Sequence, residues 1–131
     1  MKFLIDSDVF SAITEGEPNE AEKRVKSWFS SLDMTDIGIP VLSIYERRMG
    51  IEKLIKKGNT SSAEKLSKKL QPILDAYDEQ IVSIDVGSVM GWPALTLKMG
   101  ASNMMDAGIL ACASHLKLTV ATGNLKHFCG N

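Results

Sequence analysis

The feature that most constrains the fold is a short apolar run near the start of the chain that ends abruptly in acidic residues. Phe3, Leu4 and Ile5 are followed at once by Asp6 and, two positions later, by Asp8. Such a run is typical of a buried β-strand, and the acids then emerge at its carboxyl end. In open α/β sheets, ligands bind just outside the carboxyl ends of the strands. The stretch therefore predicts both a sheet and the position of a functional site.

Two further acidic residues lie in helix-like surroundings far along the chain. These are Glu46, which comes after Ser43-Ile-Tyr45, and Asp106, which precedes Ala107. If the fold brings Asp6, Glu46 and Asp106 together, they form a hard, all-oxygen site suited to Mg²⁺ or Mn²⁺. The alternative for Glu46 is a structural role, since Ser43 three residues before it fits a helix capping box.

Short strand patterns alternate with longer helical patterns along the chain. Strands are predicted around 3–5, 37–39, 81–84 and 118–121, and helices over about 21–32, 43–57, 62–77, 86–99 and 104–115, with a kink or restart at Pro72. This alternation predicts an α/β fold, a three-layer α/β/α sandwich with a short central parallel sheet. Asp6, after the first strand, and Asn124, after the last, are then candidates for the same sheet edge.

Size and composition are those of one globular domain spanning residues 1–131. The chain is 44% hydrophobic and 24% charged, and no apolar run reaches the ~20 residues of a membrane span. The N-terminal run is too short for a signal peptide, so we expect a cytoplasmic protein without membrane contact. Cys112 and Cys129 form no CxxC pattern, and Cys112 is predicted to be a reduced core residue.

The charge distribution is uneven although the net charge is only −1. Residues 47–69 contain eight basic and two acidic side chains, or +6, and the rest of the chain carries −7. Charge alone leaves open whether this segment binds phosphates or is a solvated helix face. Gly50 lies one turn beyond Glu46 on the same face. A glycine there destabilises the helix, which is explained if a substrate or another backbone needs close access.

Four stretches in this order resemble the PIN-domain family, and within it the VapC-type toxins of bacterial toxin–antitoxin systems. They are residues 3–9, 41–51, 105–113 and 118–124 continuing to Phe128, so the resemblance covers essentially the whole chain. It implies a Mg²⁺- or Mn²⁺-dependent endoribonuclease that blocks translation by cutting RNA. It also implies a cognate antitoxin protein that occludes the site, and a homodimer.

The resemblance also implies roles for individual residues. Asp6, Glu46 and Asp106 match the three acidic metal-site residues of the family, and Asn124 stands at a fourth position that is often acidic. We expect Asp6 and Asp106 to hold the ion and Glu46 to help orient the attacking water. Asn124 or Ser7 is expected to position these groups without binding the ion directly. Lys53, Lys56 or Lys57 are weaker candidates for contacts with RNA phosphates.

Two other functions remain open. The first is a catalytically impaired PIN-like binding or regulatory module, supported by the neutral Asn124 and by the end of the chain at residue 131. The second is a haloacid-dehalogenase-like phosphatase, because Asp6-Ser-Asp-Val9 fits the nucleophile motif of that superfamily, with Asp6 attacking phosphate. His115 and His127 have no metal-ligand spacing and are predicted to be helix-end and surface residues.

Overall fold

The computed structural model describes residues 1–14 and 20–122, in which four strands and six helices alternate. The strands are β1 (Phe3–Ile5), β2 (Ile37–Pro40), β3 (Ile81–Val82) and β4 (Thr119–Ala121). The helices are α1 (Ser7–Thr14), α2 (Glu20–Ser30), α3 (Val41–Lys56), α4 (Thr60–Ala76), α5 (Val86–Met99) and α6 (Met104–Leu116). The predicted α/β alternation is confirmed, with α1 as an additional helix.

The strands form one parallel sheet in the order β3-β2-β1-β4. β1 lies in its interior, with Phe3 opposite Ile37 of β2 on one side and Thr119 of β4 on the other. Because all the strands run the same way, the residues immediately after β1 and β4 meet at one edge of the sheet. The first acidic motif is thereby placed beside the chain that leaves β4.

Each face of the sheet packs against its own group of helices. Ile5 points into a core shared with α1, α2, α3 and α4, whereas its neighbour Leu4 points into a second core with Ile109 and Cys112 of α6. Leu4, Ile5 and Ile109 are fully buried. Adjacent residues of a strand face opposite sides of a sheet, so β1 supplies both cores. The predicted three-layer α/β/α sandwich is confirmed.

Helix α1 is absent from the predicted order because it starts directly after the strand, at the acidic motif itself. Val9 and Phe10 of α1 are buried and Ile13 packs against the same core, which is the spacing of one apolar helix face. This signal is short, and the polar Ser7 and Asp8 separate it from β1.

Some details of the other helices also differ from the predictions. The apolar residues Met49, Ile55 and Leu116 lie within predicted helices, but their side chains are exposed. Pro72 lies inside α4, which continues past it without restarting. No helix in the described part of the chain is both long and apolar enough to span a membrane.

The close packing of α6 on its neighbours depends on Gly108. A Cβ atom at this position would lie 2.5 Å from Cζ2 of Trp92 and 2.6 Å from Cδ1 of Leu42. Trp92 reaches across from α5, where its indole N–H donates a hydrogen bond to the carbonyl oxygen of Met104 at 2.7 Å. These contacts fix the first turns of α6, which contain Asp106.

Candidate active site

Asp6 lies at the junction between β1 and α1, and its side chain caps the helix. Its Oδ1 accepts a hydrogen bond from the backbone N–H of Val9 at 2.9 Å, and its backbone carbonyl accepts one from Phe10 at 3.0 Å. An aspartate in this position satisfies an otherwise unpaired helix N–H group. The residue is only 2% exposed. Its carboxylate is therefore held in one orientation at the carboxyl end of the strand.

Thr122 is a site residue that sequence reasoning missed. The backbone N–H of Asp6 donates to the carbonyl of Ala121 at 3.0 Å, which brings the end of β4 beside the acid. The hydroxyl of Thr122 then donates a hydrogen bond to Oδ2 of Asp6. The available signal was a hydroxyl residue immediately after a strand expected to end at the same edge as β1.

Glu46 is directed towards α1. It lies on α3, is half-buried, and accepts a hydrogen bond at Oε1 from the Ser7 hydroxyl. The predicted capping box is wrong: α3 begins at Val41, and the buried Ser43 directs its hydroxyl to the carbonyl of Ile5 instead. Glu46 is therefore available to the site, and Ser43 anchors α3 on the end of β1.

Asp106 completes the group of acids from the other face of the sheet. It lies in the first turn of α6, and its negative charge raises the pKa values of both Asp6 and Glu46. Three acids that are far apart in sequence are thus within electrostatic reach of one another. Asn124, the fourth predicted site residue, lies outside the described residues.

The environment makes ionisation of these acids unfavourable. Burial raises the pKa of Asp6 from its ordinary 3.8 to about 6, with smaller increases from Asp8 and Asp106. The hydrogen bonds from Thr122 and Val9 act in the opposite direction. Burial likewise raises the pKa of Glu46, again with increases from Asp106 and Asp8 and a decrease from Ser7. Desolvation and like charge are the expected causes of such shifts, which are typical of functional sites.

The chemistry of these side chains fits a hard divalent cation. Carboxylate oxygens are the ligands that Mg²⁺ and Mn²⁺ prefer, and a cation would relieve the repulsion that raises the pKa values of Asp6 and Glu46. In residues 1–14 and 20–122, no three Asp, Glu, His or Cys side chains converge closely enough to hold one ion. The arrangement therefore fits Mg²⁺ held by one or two carboxylates and completed by water, which is its usual form of binding.

His115 does not take part in this group. Its Nε2 lies 3.3 Å from Oδ2 of Asp85, the residue that caps α5. Both side chains are partly exposed, so this is a surface contact between α5 and the end of α6. The prediction of a helix-end histidine is confirmed. Cys112 is buried in the core, also as predicted.

A parallel four-stranded sheet with the buried Asp6 at its carboxyl edge and further acids nearby indicates the class of protein. The family model of the PIN domain matches residues 3–128, and the chain belongs to this family. Membership replaces the phosphatase hypothesis, because it accounts for Asp6 without a haloacid-dehalogenase fold.

Individual relatives show which PIN-domain proteins this chain resembles. Toxin FitB of Neisseria gonorrhoeae (strain ATCC 700825 / FA 1090) is 29% identical over 131 residues, covering 95% of this chain and 89% of FitB. The crystal structure of FitAcB from Neisseria gonorrhoeae superimposes with a TM-score of 0.77 at 26% identity, over 96% of this chain and 90% of that one. A toxin–antitoxin complex from Klebsiella pneumoniae shares the fold, with a TM-score of 0.67 at 19% identity over 98% and 92%. The predicted resemblance to PIN-domain toxins is confirmed.

Proposed function

We propose that this protein is a Mg²⁺- or Mn²⁺-dependent endoribonuclease and the toxin of a toxin–antitoxin pair. The observation that supports the proposal is that the charge of Asp106 acts on both Asp6 and Glu46 near the carboxyl edge of the sheet. Like charges held near one another disfavour folding. A function that needs concentrated negative charge explains why this arrangement exists.

Asp6 and Asp106 are the residues that would hold the divalent ion. When bound, the ion offsets the negative charge of the phosphodiester, favours formation of the nucleophile from water and stabilises the leaving oxygen. The hydrogen bonds from Val9 and Thr122 keep the Asp6 carboxylate in one orientation while it does so. Positioning of this kind by neighbouring groups is a general requirement of metal sites.

Glu46 is suited to orient the attacking water and to accept its proton. The Ser7 hydroxyl fixes one oxygen of the Glu46 carboxylate, and burial raises the pKa of this carboxylate, which makes it a stronger base than an exposed glutamate. Ser7 belongs to α1, the helix whose N-terminus is capped by Asp6. The two acids are thus held by the same short segment.

The test is cleavage of total cellular RNA by the purified protein in Mg²⁺, Mn²⁺ or EDTA. We expect discrete fragments that require metal and disappear in Asp6→Asn and Asp106→Asn. Asp75→Asn is the control, because this exposed acid lies on α4, where its carboxylate accepts a hydrogen bond from Gln71 of the same helix. Intact RNA in every reaction, from folded protein, would instead favour the impaired binding module.

The partner we propose is a cognate antitoxin protein that covers the acidic edge. One solved structure of the same fold is a toxin–antitoxin complex, and an antitoxin that places a cationic side chain near Asp6 and Asp106 would satisfy their charges without metal. Binding of such a partner is expected to suppress RNA cleavage and to compete with binding of Mn²⁺.

A homodimer is the second assembly we propose, with α5 as its interface. Val86, Met90 and Leu97 lie along α5 with exposed fractions of 77%, 77% and 86%. An exposed apolar face of this extent usually marks an interaction site. Lys98 is the one charged residue of the helix, and nothing lies within 4 Å of a Cβ added at Gly91. Two copies of such an uncharged, open face are compatible with a two-fold contact.

Light scattering coupled to size-exclusion chromatography tests the dimer. Leu97→Glu is expected to give a monomer, whereas Met49→Glu, an equally drastic change at an exposed residue of α3, is expected to leave the mass unchanged. A wild-type protein that is monomeric at every concentration would refute the assignment of α5 to a second copy.

A further inference from the structure

We infer that the face of α3 leading away from Glu46 is the path of the RNA strand beyond the cleavage site, an inference that rests on the proposed function. The path consists of Glu46, Gly50 and Lys53 of α3 together with Lys57, the residue that caps its C-terminus, and we call it the α3 track. With 3.6 residues per turn, these four positions lie within about 60° of one another around the helix axis. They therefore form one continuous stripe that starts at the acidic group.

Gly50 keeps this stripe open next to the acids. It lies in the interior of α3, where glycine is less favourable than alanine. Nothing lies within 4 Å of the position that a Cβ would take, so packing within the described structure does not require glycine here. A backbone that must pass close to the helix beside Glu46 provides the reason.

The lysines of the track are available for phosphates. Lys53 and Lys57 are exposed, and within the described residues neither forms an ion pair. On the opposite side of α3, by contrast, Arg48 is paired with Glu52 at 2.6 Å. The positive charge of Arg48 is thus neutralised on the far side of the helix, whereas Lys53 and Lys57 carry unpaired charge on the side that continues from the site.

The spacing of the track fits several nucleotides. At a rise of 1.5 Å per residue, Lys53 and Lys57 lie about 10 Å and about 16 Å from Glu46 along the axis. A stacked strand advances about 3.4 Å per nucleotide. The two lysines are therefore placed to contact phosphates roughly three and five nucleotides from the bond that is cut. Such contacts position a strand without reading its sequence.

Lys57→Ala and Arg48→Ala form a matched pair that tests the track. Both basic side chains are exposed, but they point to opposite sides of the helix axis, and Arg48 is paired with Glu52. We expect Lys53→Ala and Lys57→Ala to raise KM for RNA several-fold with little change in kcat, and to lower the salt dependence of binding by about 0.7 per lysine. Arg48→Ala should leave both unchanged.

Gly50→Leu tests the open part of the track without weakening the helix. Leucine is a better helix former than glycine, so a loss of RNA binding with retained thermal stability would place the obstruction on the substrate path. Binding is measured by fluorescence anisotropy of a random-sequence, single-stranded 20-nucleotide RNA in EDTA, and cleavage of the same RNA in Mn²⁺.

The outcomes separate this inference from the proposed function. If the wild type cleaves RNA but Arg48→Ala and Lys57→Ala have equal KM values, or Gly50→Leu is unaffected, the track alone is overturned. Absence of cleavage together with lysine-dependent binding would overturn the nuclease and support the track. Absence of both cleavage and lysine-dependent binding would overturn both the nuclease and the track. Displacement of the RNA by poly-glutamate at equal charge concentration would assign the lysines to an acidic protein partner and overturn the RNA path.

Discussion

Replacement of Asp6 by asparagine is expected to stabilise the metal-free protein, and to do so only above a defined pH. The pKa of Asp6 rises from 3.8 to about 6 on folding, mainly because the carboxyl is buried. The folded state therefore holds this proton more tightly than the unfolded chain does. As pH increases from about 4 through about 6, the wild type loses stability, and the loss is complete near pH 7.

The magnitude comes from the difference between the two pKa values. One pKa unit corresponds to 1.36 kcal/mol, so the change from 3.8 to about 6 amounts to about 3 kcal/mol at neutral pH. Asparagine does not titrate, and its amide oxygen can still accept the Val9 N–H. We therefore expect Asp6→Asn to equal the wild type near pH 4 and to exceed it by up to about 3 kcal/mol at pH 7, or by about 10 °C in Tm.

The assay is urea unfolding of both proteins between pH 4 and pH 8 in EDTA, which keeps the carboxylates free of metal. The quantity of interest is the difference between the two free energies of unfolding at each pH, because titrations common to both proteins cancel. Asp8→Asn is the control: its side chain is exposed, and its charge is only a minor contributor to the pKa of Asp6. Its effect should remain within about 0.5 kcal/mol.

Two results would refute this reasoning. A difference between wild type and Asp6→Asn that is independent of pH would show that the carboxyl is not desolvated in the folded protein. A wild type that gains stability relative to the variant between pH 4 and pH 6.5 would show that hydrogen bonds from Thr122 and Val9 outweigh burial.

Three further measurements test other parts of the structure. Millimolar Mg²⁺ or Mn²⁺ should raise Tm in scanning fluorimetry relative to EDTA, because a cation offsets the repulsion at Asp6; identical melting curves would count against a metal site. Gly108→Ala should lower the free energy of unfolding by about 1–3 kcal/mol in urea, since the added Cβ meets Trp92 and Leu42, whereas Gly50→Ala, with nothing within 4 Å, should not lower it. Trp92→Phe should cost about 1 kcal/mol in the same assay through loss of its hydrogen bond to a backbone carbonyl, and an unchanged midpoint would contradict this.

The sequence was sufficient for the sheet and for the position of Asp6 at its carboxyl edge. An apolar run ending at Asp6 identifies a buried strand, and parallel topology places the residues after each strand at one edge. Asp106 was a candidate from its helix-like surroundings and also matched a metal-site position of the PIN domain, and its electrostatic effect on Asp6 is consistent with that role. These features depend on patterns that are local or shared by a family.

Contacts between distant segments could not be predicted in the same way. Ser43 and Glu46 satisfy a local capping pattern, yet each bonds instead to a residue near the start of the chain, 38 and 39 positions away. Thr122 reaches Asp6 only because Ala121 is in register with Ile5. A single-residue change of strand register would remove that contact, and the sequence contains no marker of register for strands this short.

The hydrogen bond between Thr122 and Asp6 joins groups 116 residues apart in the chain, and this separation has a consequence for folding during synthesis. β1 occupies the interior of the sheet, but its neighbour β4 is made long after it. Contacts of such long range form late and slow the folding of a domain. The ribosome must therefore deliver almost the whole sequence before the Asp6 carboxylate is fixed in place. For the ribonuclease proposed above, we therefore expect a nascent chain to be inactive until β4 has been made.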